Sequence, residues 1–252
     1  MTRRRFHSAT VEHNTAWLRG AAAAHAVTVL RAKVGQEYEL ACQGRVFLGR
    51  ITSISSTDVC FTLGEELPTL IVDGCLTLAA AIFKFDRFEW LVEKATELGV
   101  TCIQPLVTRR TDRHLAQAAP KRVERWQRVA HQASEQSRRH SVPAIQPPLM
   151  LNDYLEAMVA GPHSLWLVEG GAGQALLPVL TEVEFTRALC LAVGPEGGWA
   201  AEELTAGERA GFRPVTLGPK ILRAETAAIA ALAVVQAWRV SGEARASTTG
   251  AV

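Results

Sequence analysis

Hydrophobic and polar positions change their period along this chain. Up to about residue 70 they alternate in short runs, at Tyr38-Glu39-Leu40, Arg45-Val46-Phe47-Leu48 and Asp58 to Leu63. Alternation with period two, β-branched or aromatic residues and glycines at 35, 44 and 64 predict short strands separated by turns. Such strands fit a small β-barrel. The exception is the alanine-rich stretch from Ala21 to Arg31, which reads as a helix.

Beyond Asp73-Gly74 the pattern becomes one of nearly continuous apolar runs. Leu76 to Ile82, Val100 to Ile103, Ser164 to Val168, Ala188 to Val193 and Val215 to Leu217 are such runs. Strands buried on both faces of a parallel sheet read this way. Pro105 is expected to break the second of them, because proline cannot donate to a ladder. Between the runs the period is helical. Phe88, Leu91, Val92, Ala95 and Leu98 form one stripe, with Glu89, Glu93 and Glu97 opposite and Gly99 as the stop. A second helix begins at Pro120, a residue tolerated in the first turn, and carries Val123, Trp126, Ala130 and Ala133 on its apolar side. A last helix from about Glu225 to Val240 is apolar almost all round, which places it in a core or against a partner. The pattern predicts an α/β domain with a mostly parallel sheet over residues 73–242, preceded by a small barrel over 1–72. The small, polar residues 243–252 are expected to form a disordered tail.

Length and composition set bounds. The chain has 252 residues, 48% hydrophobic and 21% charged, ordinary values for a globular protein of one large or two smaller domains. The formal net charge of +2 does not announce a polyanion partner, but its distribution is uneven. Arg109, Arg110, Arg113, Lys121, Arg122, Arg125, Arg128, Arg138 and Arg139 are opposed only by Asp112, Glu124 and Glu135. This segment suits nucleic acid, or is a solvated basic helix face. The cysteines at 42, 60, 75, 102 and 190 show no CxxC spacing and the histidines no HExxH, so neither a metal site nor a disulfide framework is expected. Scattered cysteines point to a reducing, cytoplasmic setting. The basic Arg3 to Arg5 lead into no apolar run, and no stretch is long enough to span a membrane.

Two glycine-containing loops follow predicted strands. One is Gly194-Pro195-Glu196-Gly197-Gly198; the other runs from Leu217-Gly218 through Lys220-Ile221-Leu222-Arg223 to Thr226-Ala227. Ligands bind outside the carboxyl ends of strands in open α/β sheets, and glycine lets the backbone approach them closely. Each loop also reads as an ordinary turn, and neither is a P-loop.

Taken together, these loops resemble the signature loops of the RsmE family of 16S ribosomal RNA uridine-N3 methyltransferases, within the SPOUT superfamily. Further similar stretches run through Lys84 to Glu89, Lys94-Ala95-Thr96-Glu97-Leu98-Gly99-Val100, Ile103-Gln104-Pro105, Arg125-Trp126, Glu135-Gln136-Ser137, Val142-Pro143, Arg4-Arg5-Phe6 and Val29-Leu30-Arg31. The resemblance covers residues 4 to about 240 in order. Trp199 departs from the pattern, standing where phenylalanine is expected, and Glu169-Gly170-Gly171-Ala172 has no clear counterpart.

The resemblance implies a PUA-like RNA-binding barrel, then a SPOUT domain with a trefoil knot. It implies S-adenosylmethionine held mostly by main-chain groups of Gly194, Pro195, Glu196, Gly197, Gly198, Leu217, Gly218, Ile221, Leu222, Thr226 and Ala227. It also implies a homodimer acting on ribosomal RNA, within the small subunit. Other activities of the superfamily, on a different nucleotide or a 2′-oxygen, and a non-catalytic RNA-binding protein of the same fold are the alternatives. Arg223 is the candidate cation for stabilising charge on uracil, unless it pairs with Glu196 or Glu225. Glu196 is either the proton acceptor or the group that orients Arg223. Arg4, Arg5, Arg31, Arg109, Arg110, Arg113, Arg138 and Arg139 are candidate RNA contacts.

Overall fold

The computed structural model describes residues 4–7, 10–55, 57–68, 74–158, 163–184 and 186–249. The chain forms two compact units, Met1–Ile71 with Gln132–Val142, and Val72–His131 with Pro143–Val252. The return of residues 132–142 to the first unit is not visible in a linear reading of the pattern.

The first unit is a single six-stranded sheet. Its strands are β1 (Arg5–His7), β2 (Thr10–Glu12), β3 (Thr15–Arg19), β4 (Glu37–Cys42), β5 (Arg45–Ile54) and β6 (Asp58–Glu66), in the order β1-β4-β5-β6-β3-β2. Among its described residues only the β1–β4 ladder is parallel. Register shifts in β5, between Phe47 and Gly49 and between Ile51 and Ser53, mark bulges that curl the sheet towards a barrel. Phe6, Leu18, Leu40, Ile51, Val59 and Phe61 fill the concave side, joined by Ala23 and Ala26 of helix α1 (Ala21–Thr28).

The second unit is a parallel sheet. Its strands are β7 (Leu76–Ala81), β8 (Cys102–Val107), β9 (Ala144–Ile145), β10 (Leu149–Met150), β11 (Ser164–Leu167), β12 (Gln174–Ala175), β13 (Leu189–Val193) and β14 (Arg213–Thr216). They run in the order β10-β8-β7-β13-β11-β14-β12, with β9 also on β8. The apolar runs become the central strands: every residue of β11 and β13 is buried. The helices are α2 (Phe85–Glu97), α3 (Arg113–Ala118), α4 (Val123–Gln136), α5 (Leu151–Ala157), α6 (Leu176–Thr181), α7 (Ala201–Arg209) and α8 (Ala224–Thr249). On α4 Trp126, Ala130 and Ala133 of the expected stripe are buried and Val123 half-buried, and Trp126 packs on Phe88 of α2 with ring centroids 4.7 Å apart.

Two expectations are corrected. Pro105 does not break its strand: β8 runs through it to Val107. The Ile103 carbonyl accepts from Gln146 N–H and the Leu106 carbonyl from Ile82 N–H. By alternation, Pro105 turns its donor-less nitrogen to the side where β9 has ended and β10 has not begun, so no bond is lost. The tail expected from residue 243 is helical as far as Thr249. Extending an existing helix through Glu243-Ala244-Arg245-Ala246 costs no new nucleus, and these residues favour it.

Helix α8 is pinned by Arg239, which is only 2% exposed. Its guanidinium donates to the carbonyls of Gly74 (2.9 Å), Cys75 (3.1 Å) and Arg187 (3.1 Å), tying the entries of β7 and β13 to the helix. No helix among the described residues is long and apolar enough to cross a membrane.

Candidate functional site

Strands β13, β11 and β14 are neighbours in a parallel sheet, so their carboxyl ends share one edge. Three loops leave that edge and enclose a cavity of about 230 Å³. They contribute Leu167 to Gly170, Gly194 to Trp199, and Leu217, Gly218, Lys220 and Leu222.

The loop after β13 is closed by Gly198 N–H donating to Pro195 C=O at 2.8 Å. Gly198 has φ 69°, a left-handed conformation that disfavours other residues. Trp199 then turns inward. Its indole N–H donates to the Leu167 carbonyl at 2.9 Å and its ring stacks on Trp166 at 4.2 Å. The tryptophan that stands in place of phenylalanine thus adds a bond between two walls of the cavity.

The start of α7 is fixed by buried Glu203. Its carboxylate accepts from Ala200 N–H (2.8 Å), the reach-back of a capping box, and from Arg109 N–H (2.7 Å). One side chain therefore anchors both the loop after β13 and the loop after β8.

In the loop after β14, Gly218 has φ 114°. The Thr216 hydroxyl accepts from Gly218 N–H (3.2 Å) and donates to Gly218 C=O (3.3 Å), holding the turn. Ala227 N–H donates to Arg223 C=O at 2.8 Å, so α8 starts directly after Arg223.

Residues 74–236 match the family of RNA methyltransferase domains. Over 217 residues the chain is 34% identical to ribosomal RNA small subunit methyltransferase E of Rickettsia conorii, covering 83% of this chain and 84% of the relative. This chain belongs to the ribosomal RNA small subunit methyltransferase E family. A Synechocystis member is 41% identical over 175 residues, 69% of this chain and 55% of its own length, so the match spans about half of that relative. The fold agrees with the crystal structure of the Neisseria gonorrhoeae member bound to S-adenosyl methionine. The TM-score is 0.81 at 30% identity, over 94% of this chain and 98% of that one.

Of the cofactor residues expected from the family's loops, Gly194, Pro195, Glu196, Gly197, Gly198, Leu217, Gly218, Leu222 and Ala227 line the cavity. Ile221 and Thr226 do not: Ile221 is 80% exposed and Thr226 points to solvent. The third wall, Leu167 to Gly170, was missed because its Glu-Gly-Gly-Ala stretch matches no recognised pattern. Its signal was position alone, at the end of an apolar strand. Lys220 and Arg110 also line the cavity.

Arg223 is exposed, and among the described residues no carboxylate pairs with it. The alternative for Arg223, a pair with Glu196 or Glu225, gives way to contacts of both carboxylates with Arg87, in the first turn of α2. Arg87 Nη1 is 2.7 Å from Glu196 Oε1 and 3.8 Å from Glu225 Oε1. Arg87 precedes Glu196 by more than a hundred positions, so only the fold brings them together.

The arginines expected at RNA divide into two sets. Arg4, Arg31, Arg109 and Arg113 are exposed. Arg109 reaches Glu202 at 3.3 Å across solvent. Arg110 donates to the Gly197 carbonyl at the cavity wall. Arg5 is corrected to a structural role. It is buried, its Nε donates to Glu39 at 3.0 Å, and it also donates to the Arg138 carbonyl. Arg138 pairs with the same carboxylate. Arg139 is half-buried, donates to Ser141 C=O at 3.2 Å, and burial lowers its pKa to about 10, so it stays charged near neutrality.

Proposed function

We propose that this chain transfers a methyl group from S-adenosylmethionine to N3 of a uridine in small-subunit ribosomal RNA. The observation that carries the reading is the cavity itself, built where the two family loops meet at the carboxyl ends of β13 and β14. Its composition fits an adenosyl group. Leu167, Val193, Leu204, Leu217 and Leu222 offer apolar surface, and Gly170, Gly194, Gly197 and Gly218 bring main chain to the wall. When bound there, the cofactor supplies an electrophilic methyl group.

The remaining work falls to the chain's own residues. The loops would hold the donor and exclude water, leaving the uracil to be placed in line, and positioning alone supplies much of a rate. Among the described residues no carboxylate pairs with exposed Arg223, which is available to a uracil oxygen on which negative charge grows as N3 loses its proton. Glu196 is engaged by Arg87 and not by Arg223, so an orienting contact to Arg223 is not assigned to it. The exposed arginines would hold the RNA backbone. The active form is assigned as a cytoplasmic homodimer.

The test is methylation of small ribosomal subunits and of naked 16S RNA with labelled S-adenosylmethionine, followed by mass mapping. The expected product is one 3-methyluridine. A 2′-O-methyl product, or cofactor binding with no transfer to either RNA, would overturn the assignment.

A further inference from the structure

We infer that Arg87 is a positioning residue for this reaction: it holds Glu196 and Glu225 and so keeps both carboxylates off Arg223. The inference rests on the activity proposed above. Three charged groups converge from separate elements. Arg87 comes from the first turn of α2, Glu196 from the loop after β13, and Glu225 from the first turn of α8. Glu196 and Glu225 each lie within three residues of a wall of the cavity or of Arg223 itself.

The contacts are unequal. Arg87 makes a full hydrogen bond to Glu196 at 2.7 Å but stands 3.8 Å from Glu225, beyond hydrogen-bond distance. Glu225 is 5% exposed, and its second oxygen, Oε2, is buried with no hydrogen-bond partner. A buried carboxylate in that state depends on the nearby cation, since removing one member of a buried pair leaves an uncompensated charge. Arginine carries five N–H donors in a rigid fork, enough to serve both carboxylates.

Without Arg87 these carboxylates lose their cation, and exposed Arg223, two residues before Glu225 in the chain and paired with no carboxylate among the described residues, is open to them. A carboxylate on Arg223 would cancel the charge that uracil needs in the transition state. The catalytic arginine is therefore protected by a second arginine that never touches substrate.

This account predicts a specific double-mutant pattern in single-turnover methylation at saturating cofactor. Arg87→Ala should slow the step roughly tenfold, within the range for charged groups in direct contact. Arg87→Lys should recover part of the loss, because it restores the charge without the fork. In a Glu196→Gln background the same Arg87→Ala change should cost clearly less than in the wild type, because only Glu225 is left to reach Arg223. Thermal melts and S-adenosylmethionine titration on each variant count only folded, loaded protein, and Arg87→Gln replaces Arg87→Ala if the alanine variant does not fold. Equal costs in both backgrounds, or a normal rate for Arg87→Ala, would overturn the role while leaving the activity intact. Wild-type protein that bound no cofactor or methylated no RNA would overturn the activity and this role together.

Discussion

Arg223 ends the second loop with its side chain exposed and with no carboxylate claiming it among the described residues. If it stabilises charge on uracil, Arg223→Ala should lower the single-turnover rate by roughly 10²–10³-fold, the scale of losing one preorganised donor. Cofactor affinity and melting temperature should change little, since no ion pair is lost. Arg223→Lys should recover only part of the rate. A large drop in melting temperature with a normal rate per folded molecule would remove Arg223 from the mechanism. Gly197 is the complementary probe. A Cβ there would meet only the flexible Arg110 side chain, at 3.4 Å from its Cδ. Gly197→Val should therefore fold, yet crowd the cavity and weaken S-adenosylmethionine by roughly ten- to a hundredfold, as overpacking does. Unchanged affinity by calorimetry in the folded variant would move the cofactor away from this loop.

At the scale of elements, α5 and β13 meet through Tyr154 and Cys190, whose hydroxyl and thiol lie 3.3 Å apart in the core. Burial pushes the Cys190 thiol up to about 11 from an ordinary value near 9, and raises the Tyr154 phenol as well. Between about pH 9 and pH 11 the unfolded thiol gives up its proton while the native one keeps it. The native state then binds more protons, and stability falls as pH rises through that window. Denaturant midpoints from pH 8 to 10.5 should fall more steeply for wild type than for Cys190→Ala, with Tyr154 leaving some slope in both. Parallel slopes would mean the thiol ionises in the fold as easily as in water. The same elements show what a sequence pattern can carry. β11 and β13 were legible because burial on both faces makes their runs apolar throughout. β9, β10 and β12 have two residues each, too few for any period to register. Loop positions 194–198 were legible as cavity lining because glycine at a strand end lets the backbone approach closely. Ile221 was not, because an apolar residue beside a site reads as lining it whether it faces inward or, as here, outward.

At the scale of the molecule, a net charge of +2 leaves RNA binding to whichever arginines are not already occupied. Arg122 and Arg125 are drawn to Glu89 at 3.9 and 2.8 Å, and Arg5 and Arg138 share Glu39. Much of the basic excess that points to a polyanion is thus spent on folding. Arg4 and Arg31 in the first unit, and Arg109 and Arg113 in the second, remain exposed. The Arg109–Glu202 pair is solvated on both sides and competes weakly with phosphate. Each phosphate contact to single-stranded RNA adds about 0.7 to the slope of log affinity against log salt, and about 0.9 in a duplex. Replacing Arg4 and Arg31 together, or Arg109 and Arg113 together, should each flatten that slope by about one to two and leave cofactor affinity unchanged. Arg5→Ala should behave differently. It removes one partner of a buried carboxylate, should cost roughly 3 kcal/mol of stability, and should leave the slope where it was. Fluorescence anisotropy with a labelled 16S fragment across a potassium chloride series, beside urea melts, separates the two behaviours. A slope that dropped for folded Arg5→Ala, or held for both paired replacements, would place the RNA on other residues.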